Sequence, residues 1–194
     1  MSCAHGICGS DGLTINGLPA LACQKLLKDY DYSKEILVEP LHFFPVVKDL
    51  VVDLEPFFKR NRAIDPETTQ TESSSTENVA ERLQDPADRN LFDDALKCIL
   101  CACCVAACPV NLKEDTEFVG PAALLKGQRY IFDSRTQNPD ERMHVLDKAH
   151  GIWSCKSYYQ CTRVCPKGIR VTEAILRTKK KILQEARPKQ KQEG

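Results

Sequence analysis

Eleven cysteines among 194 residues fall into three groups, and their spacing restricts this chain more than any other feature. Cys98, Cys101, Cys104 and Cys108 are spaced C-x2-C-x2-C-x3-C and run straight into Pro109. That is the ligand spacing of paired cubane iron–sulfur centres, where the fourth thiolate, beside proline, serves the other centre of the pair. Cys155, Cys161 and Cys165, followed by Pro166, repeat the overall length of the first run with one thiol fewer. Overlaying the two runs puts Tyr158 where the second cysteine would stand. Three thiolates and a bulky phenol in the fourth position point to a [3Fe–4S] centre rather than a full cubane. The two runs thus form a weak internal repeat, as in two-cluster ferredoxins.

The remaining group opens the chain. Cys3 and Cys8 are spaced C-x4-C, and plant-type [2Fe–2S] loops continue from there with x2-C and a distant fourth cysteine. Here the x2 position is Asp11, and Cys23 is the distant thiol. Asp11-Gly12 reads as an ordinary turn dipeptide, or as a carboxylate standing in for the missing thiolate. Ligand counting favours the second. A [2Fe–2S], a [4Fe–4S] and a [3Fe–4S] centre call for four, four and three protein ligands. Ten of the cysteines with Asp11 meet that demand and leave only Cys103, which fits neither spacing and reads as a small buried hydrophobe.

Other uses of cysteine fit less well. An odd number of thiols packed as C-x2-C argues against a secreted disulfide scaffold. Zinc sites take four ligands in paired sets, which leaves Cys104 and the twin Cys-Pro endings without a role. A Rieske centre needs two histidines; His5 lies near Cys3, but no matching histidine follows Cys23. A thioredoxin-like C-x-x-C lacks its βαβ setting. The net charge of +0 gives no steering toward nucleic acid. No apolar run approaches the roughly 20 residues that cross a bilayer, and no secretory h-region is present. The chain therefore reads as soluble by itself in a reducing compartment, with any membrane tie made through a partner. His42, His144 and His150 stand isolated, and Lys179, Lys180 and Lys181 read as a solvated helix face. Trp153, just ahead of Cys155, is either a shield for a centre or simply core.

Around these motifs the chain is turn-rich to Cys23, then β-like over Glu35–Glu39. Val47, Leu50, Val51, Leu54 and Phe58 recur at helical spacing. Residues 65–78 are polar and aperiodic, a connector. Helical patterns follow in PADRNLFDDALK, in PAALLKGQRYIFDS with Pro121 at a helix start, and in PDERMHVLDKAH. A last helix is expected to start at Thr172 as N-cap and to present Ile175, Leu176, Ile182 and Leu183 as one apolar stripe.

The segments SCAHGICGSDGLTINGLPALAC, LKCILCACCVAACP, FVGPAALLKGQRYIFDSR and CKSYYQCTRVCPKG resemble the iron–sulfur subunit of succinate dehydrogenase/fumarate reductase. The likeness runs from Cys3 to Lys181 and is poorest in the 65–80 connector. It implies an α+β chain: a partial β-grasp [2Fe–2S] domain over 1–64, a linker over 65–85, and an α-helical ferredoxin domain over 86–187 that binds two clusters. It implies that Cys3, Cys8, Asp11 and Cys23 hold the [2Fe–2S] cluster. Cys98, Cys101, Cys104 and Cys165 would hold the [4Fe–4S] cluster, and Cys108, Cys155 and Cys161 the [3Fe–4S] cluster. The implied partners are an FAD-containing flavoprotein subunit, a membrane-anchor subunit and a quinone. The implied place is peripheral, on the cytoplasmic face of a prokaryotic inner membrane or the matrix face of a mitochondrial one. Transfer is outer-sphere, so no side chain is catalytic. Family members carry two strands and a helix ahead of the first ligand; only Met1 and Ser2 stand there in this chain, so a shortened first domain is expected. The aromatics and histidine of quinone-reducing relatives are replaced by Leu112, Lys113 and Lys156, so those quinone-site residues do not carry over. A freestanding polyferredoxin, or a subunit of a heterodisulfide-type reductase, is the alternative; Asp11 and Tyr158 speak against the latter.

Overall fold

The computed structural model describes residues 2–64, 83–136 and 139–186. The connector expected over 65–85 lies mostly outside them. The first half holds small sheets and the second half is helical, the α+β order expected.

The first hairpin is dictated by Asn16-Gly17. Both residues adopt positive φ (49° and 78°), as a two-residue type I′ turn requires. It joins β1 (Gly12–Ile15) to β2 (Leu18–Leu21), antiparallel with Gly12 opposite Leu21. The stretch up to Cys23 is therefore more than turns, and the Asn-Gly pair between apolar runs was the signal for it. The Asn16 N–H donates to the Leu37 carbonyl and its side chain accepts from the Leu37 N–H, both at 2.9 Å. That clasp adds β3 (Val38–Glu39) on the other edge of β1, giving the order β2-β1-β3.

The helical spacing over Val47–Leu54 does not become a helix. β4 (Val46–Lys48) and β5 (Val51–Val52) form a second hairpin around Asp49, whose φ is 50°. Val46, Val47, Leu50 and Val51 are exposed on it, not core. Paired β-branched valines flanking an Asp49-Leu50 turn outweigh a periodicity of only two helical turns. The helix begins later: Asp53 accepts the Glu55 N–H at 2.9 Å, starting α1 (Glu55–Ile64).

The second half contains α2 (Pro86–Asn90), α3 (Asp93–Leu96), α4 (Cys103–Ala106), α5 (Pro121–Phe132), α6 (Pro139–Leu146), α7 (Gln160–Arg163) and α8 (Val171–Ala186). Pro121 sits at the first position of α5, where its missing N–H costs nothing. A π-helical turn, Val110–Glu114, follows Pro109. Thr172 is not an N-cap: α8 starts at Val171 and takes Thr172 into its first turn. The expected stripe on α8 also splits, with Ile175 and Ile182 buried and Leu176 and Leu183 exposed.

Two cores result. One gathers α5, α6, α8 and the π-turn around Leu124, Leu125, Leu146 and Ile175. The other packs Leu21, Leu41, Phe44 and Phe57 of the first half onto Ala102, Cys103, Val105 and Ala106 of the second. Helix α1 belongs to both, through Phe57 and Ile64. The first half is thereby welded onto the loop that carries the central cysteines.

Candidate metal centres

The first centre is assembled by the β1–β2 hairpin. Asp11 precedes β1 and Cys23 follows β2, so closing the hairpin brings residues twelve apart in sequence together. The Ala22 N–H donates to the Asp11 carbonyl at 3.0 Å and the Cys23 N–H to Asp11 Oδ2 at 2.8 Å. Ahead of it, residues 3–9 curl through positive φ at Ala4, Gly6 and Gly9. The curl points the amides of His5, Ile7 and Cys8 at Cys3 Sγ, at 3.3, 3.5 and 3.4 Å. Successive N–H groups aimed at one sulfur form a nest for a thiolate. Cys8 is drawn down to about 6, first by the Cys3 N–H and then by Ser10, whose hydroxyl lies 3.1 Å from its sulfur. Burial lifts the Asp11 carboxyl, and Cys23, through thiol and amide, outweighs that and leaves it below its ordinary value. Asp11 therefore carries its charge. Its Oδ1 is buried without a hydrogen-bond partner, and among the described residues it is the one carboxylate oxygen so placed. A buried anionic oxygen with nothing to accept from is a costly feature, and it fits a metal ligand better than an ordinary turn.

The other two sites sit in the helical half, built twice on one backbone pattern. In the first run Leu100 and Ala102 have φ of 54° and 63°, and α4 follows at Cys103. At the overlaid positions of the second run Ser157 and Tyr159 have φ of 58° and 61°, and α7 follows at Gln160. Four non-glycine residues held left-handed is strained backbone that persists only where its surroundings impose it. The internal repeat seen in the cysteines is thus a repeat of conformation.

Cys98, Cys101, Cys104 and Cys165 line one cavity of about 350 Å³, counting its opening to solvent, with Ile99, Ala122, Leu125, Ile169 and Val171 as apolar wall. Cys108, Cys155 and Cys161 line another of about 310 Å³, together with Tyr158, Phe118, Thr172 and Ile175. Each cavity thus takes the last thiol of the opposite run. Among the described residues no three His, Cys, Asp or Glu side chains converge as a single ion would need. The thiols stand around spaces instead, which suits a polynuclear cluster. Burial pushes the thiols of Cys98, Cys104 and Cys161 up, and that of Cys108 to about 11. Such groups keep their protons until a metal binds and displaces them.

Tyr158, overlaid on Cys101, turns its hydroxyl to Glu114 on the π-turn and donates to Oε1 at 2.8 Å. The fourth position of this site therefore holds a phenol already committed elsewhere. Cys103 is fully buried, as its sequence position suggested. It also does more: its thiol donates to Cys101 and draws that sulfur down to about 7, its own proton being held far above the usual range.

Several neighbours of the thiols escape a reading of the sequence. The Thr172 hydroxyl lies 3.3 Å from Cys161 Sγ and accepts from Thr162 at 3.0 Å. Lys179, expected on a solvated face, is half-buried over the Trp153 ring and donates to the Cys155 carbonyl at 2.7 Å. His150, expected to be isolated, pairs with Asp115 at 2.8 Å, and Asp115 also accepts from Ser154 at 3.0 Å. Trp153 is 40 % exposed and donates to Asp147, so it is neither core nor a full shield. Each of these contacts crosses between elements, and no local spacing encodes it.

A hairpin carrying a thiol-and-carboxylate loop, welded to a helical unit with two crossed thiol-lined cavities, defines an electron-carrying iron–sulfur protein of ferredoxin type. Comparison with known proteins agrees. Residues 1–59 match the family described as "2Fe-2S iron-sulfur cluster binding domain", and residues 94–169 match "4Fe-4S dicluster domain". The chain is 39 % identical over 184 residues to the succinate dehydrogenase iron-sulfur subunit of Coxiella burnetii, covering 95 % of this chain and 76 % of the relative. It is 43 % identical over 178 residues to the fumarate reductase iron-sulfur subunit of Mycobacterium tuberculosis, covering 92 % and 71 %. Among solved structures, a chain of the Mycobacterium smegmatis Sdh1 complex in the apo form superposes with a TM-score of 0.84 at 26 % identity, over 97 % of this chain and 79 % of that one. The chain belongs to the family of iron–sulfur subunits of succinate dehydrogenase and fumarate reductase, and its role is electron transfer.

Proposed function

We propose that this chain relays single electrons between a flavin-bearing subunit, which handles succinate and fumarate, and a quinone at a membrane-anchor subunit. The observation that carries the reading is the crossing of Cys108 and Cys165 between the two cavities. Neither cysteine run completes a site by itself, so two centres are held as neighbours in one folded unit. Cys3, Cys8, Asp11 and Cys23 would hold a [2Fe–2S] cluster; Cys98, Cys101, Cys104 and Cys165 a [4Fe–4S] cluster; Cys108, Cys155 and Cys161 a [3Fe–4S] cluster. Bound there, such clusters take up and give back one electron at a time.

The chain's own groups do the holding and tuning. Hydrogen bonds to ligand sulfur shift cluster potentials, and they come here from the amides around Cys3, from Ser10, from Cys103 and from Thr172. Lys179 ties the Cys155 loop to α8 and brings a positive charge beside the third site. The partners find apolar surface at either end of this series. The β4–β5 hairpin offers Val46, Val47 and Val51 in the half that carries the first site. Trp153, Tyr158, Tyr159 and Leu112 stand exposed about the third. Contiguous exposed apolar side chains mark interaction sites. We assign the hairpin to the flavoprotein and the aromatic group to the anchor. Among the described residues no helix is long and apolar enough to cross a membrane, so attachment would run through that anchor, at the cytoplasmic face of a prokaryotic inner membrane.

Anaerobic reconstitution of the full chain tests the assignment. It should take up about nine irons and about ten sulfides, as the three cluster formulae require. It should also pull down a flavin-bearing subunit. A preparation that holds zinc, or a filled chain that captures no flavoprotein, overturns the reading.

A further inference from the structure

Two glycines in the first ligand loop lie where no side chain fits. Gly9 sits one residue after Cys8, with φ of 71°; a Cβ there would stand 2.7 Å from the Ile99 carbonyl oxygen and 3.1 Å from Cys101 Cβ. Gly12 sits one residue after Asp11, at the start of β1. A Cβ there would stand 2.9 Å from the Cys101 carbonyl oxygen, 3.1 Å from Leu41 Cδ1 and 3.6 Å from Cys103 Sγ. Both approaches are to backbone of the second ligand loop, which cannot swing aside as a side chain tip can. Ordinary contact begins near 3.4 Å, so a methyl at Gly12 would drive the two loops apart by about half an ångström. Behind the seam, the fully buried Cys103 and Ala102 of that loop pack with Leu21 and Leu41, which leaves the contact no slack from that side.

We propose that Gly9 and Gly12 are positioning residues that set the gap between the first and second electron-carrying centres by letting the Cys8–Asp11 loop lie backbone-to-backbone on the Ile99–Cys101 loop. The inference rests on the ligand assignment above and adds to it what fixes the spacing. One electron leaves the first centre and the same electron arrives at the second, and the efficiency of that passage depends on distance. A seam without side chains makes the distance as short as two peptide chains allow.

The test uses the full chain, reconstituted anaerobically and fully reduced with europium(II), and reads the magnetic interaction between the first two centres as broadening and faster relaxation of their resonance signals. Gly12 has ordinary backbone angles, so Gly12→Ala and Gly12→Val act as pure wedges. Gly9→Ala adds the strain of a positive φ. Gly17→Ala supplies the control, since Gly17 has φ of 78° and nothing within 4 Å of a Cβ. The expected result is a coupling that weakens from wild type to Gly12→Ala to Gly12→Val, that weakens in Gly9→Ala, and that persists in Gly17→Ala. Iron and sulfide contents should match wild type throughout. Leu41→Ala should not restore the coupling of Gly12→Ala, because the nearer obstacle is a carbonyl.

Coupling in Gly12→Val equal to wild type overturns the proposal, as does an equal loss in Gly17→Ala and Gly9→Ala. Loss of the first centre's iron from Gly12→Ala would make the glycine a requirement for assembling the site, and overturns it too. A wild-type chain that binds no iron brings down the ligand assignment itself, an outcome recognisable before any variant is made.

Discussion

Asp11 is the residue on which the first site turns. Its Oδ2 is satisfied by the Cys23 amide, while Oδ1 is buried and unpartnered. A thiolate offered from the same backbone position should serve in its place, so Asp11→Cys is expected to keep a [2Fe–2S] centre with a shifted midpoint potential. An unchanged spectrum and potential in the redox titration would remove Asp11 from the ligand set. Tyr158 is the matching case in the third site. It occupies the place of a second cysteine, and its hydroxyl is held 2.8 Å from Glu114. The backbone there is already bent as in the complete run, with left-handed residues on both sides of it. Tyr158→Cys should therefore convert the centre toward four irons and lower its potential, with loss of the oxidised three-iron resonance signal. Retention of that signal at full strength would show that the fourth position is closed by more than the missing thiol. Both positions stand out in the sequence, Tyr158 from spacing and Asp11 from spacing together with ligand counting, because a ligand run prescribes where the next thiol belongs and makes a substitution visible. Thr172 and Lys179 were not: they reach Cys161 and Cys155 only once α8 is docked.

Elements show the same division between local and distant causes. Pro121, Asp53 and the Asn16-Gly17 pair act on their own neighbours, and each could be found in the sequence. The β4–β5 hairpin defeated the reading of Val47–Leu54 because its spacing of valines and leucines suits either state over so short a length. What decided it was a left-handed Asp49 and the exposure of that hairpin, neither of which periodicity reports. Helix α5 gives a case where a general rule and local packing oppose each other. Replacing a mid-helix glycine by alanine ordinarily stabilises by about 1 kcal/mol. At Gly127, however, a Cβ would stand 2.8 Å from Leu146 Cδ1 on α6 and 3.1 Å from Ile64 Cγ2 on α1. Leu146 and Ile64 are both fully buried, so their tips have no free space to turn into. Overpacking of this kind costs about 1–3 kcal/mol, enough to exceed the propensity gain. Gly127→Ala is expected to lower the thermal midpoint of the loaded protein by several degrees, at about 2–4 °C per kcal/mol for a chain of this size. A raised midpoint would mean that α6 yields and that the three-helix contact is softer than its geometry.

Across the whole molecule, two thiol-lined cavities lie within or beside the cores that hold the helices together, and this ties folding to metal through protons. Burial raises the thiols of Cys98, Cys104 and Cys161, and brings Cys108 from 9.0 to about 11. In the metal-free protein a thiol raised in this way costs the fold nothing while pH stays below its unfolded value, since both states are protonated. Above that value the unfolded chain ionises first, and stability falls until the folded thiol ionises as well. For Cys108 the window runs from 9.0 to about 11, and a shift of that size corresponds to about 2–3 kcal/mol. The loaded protein should behave in the opposite sense. Its ligands are thiolates, loading releases their protons, and the hold on metal tightens as pH rises. Anaerobic denaturant titrations at several pH values between 8 and 11 separate the two: the chelated protein should lose stability through the window while the loaded one does not. Parallel profiles would mean that these sulfurs are ionised without metal, and that the cavities are held open by protein packing alone.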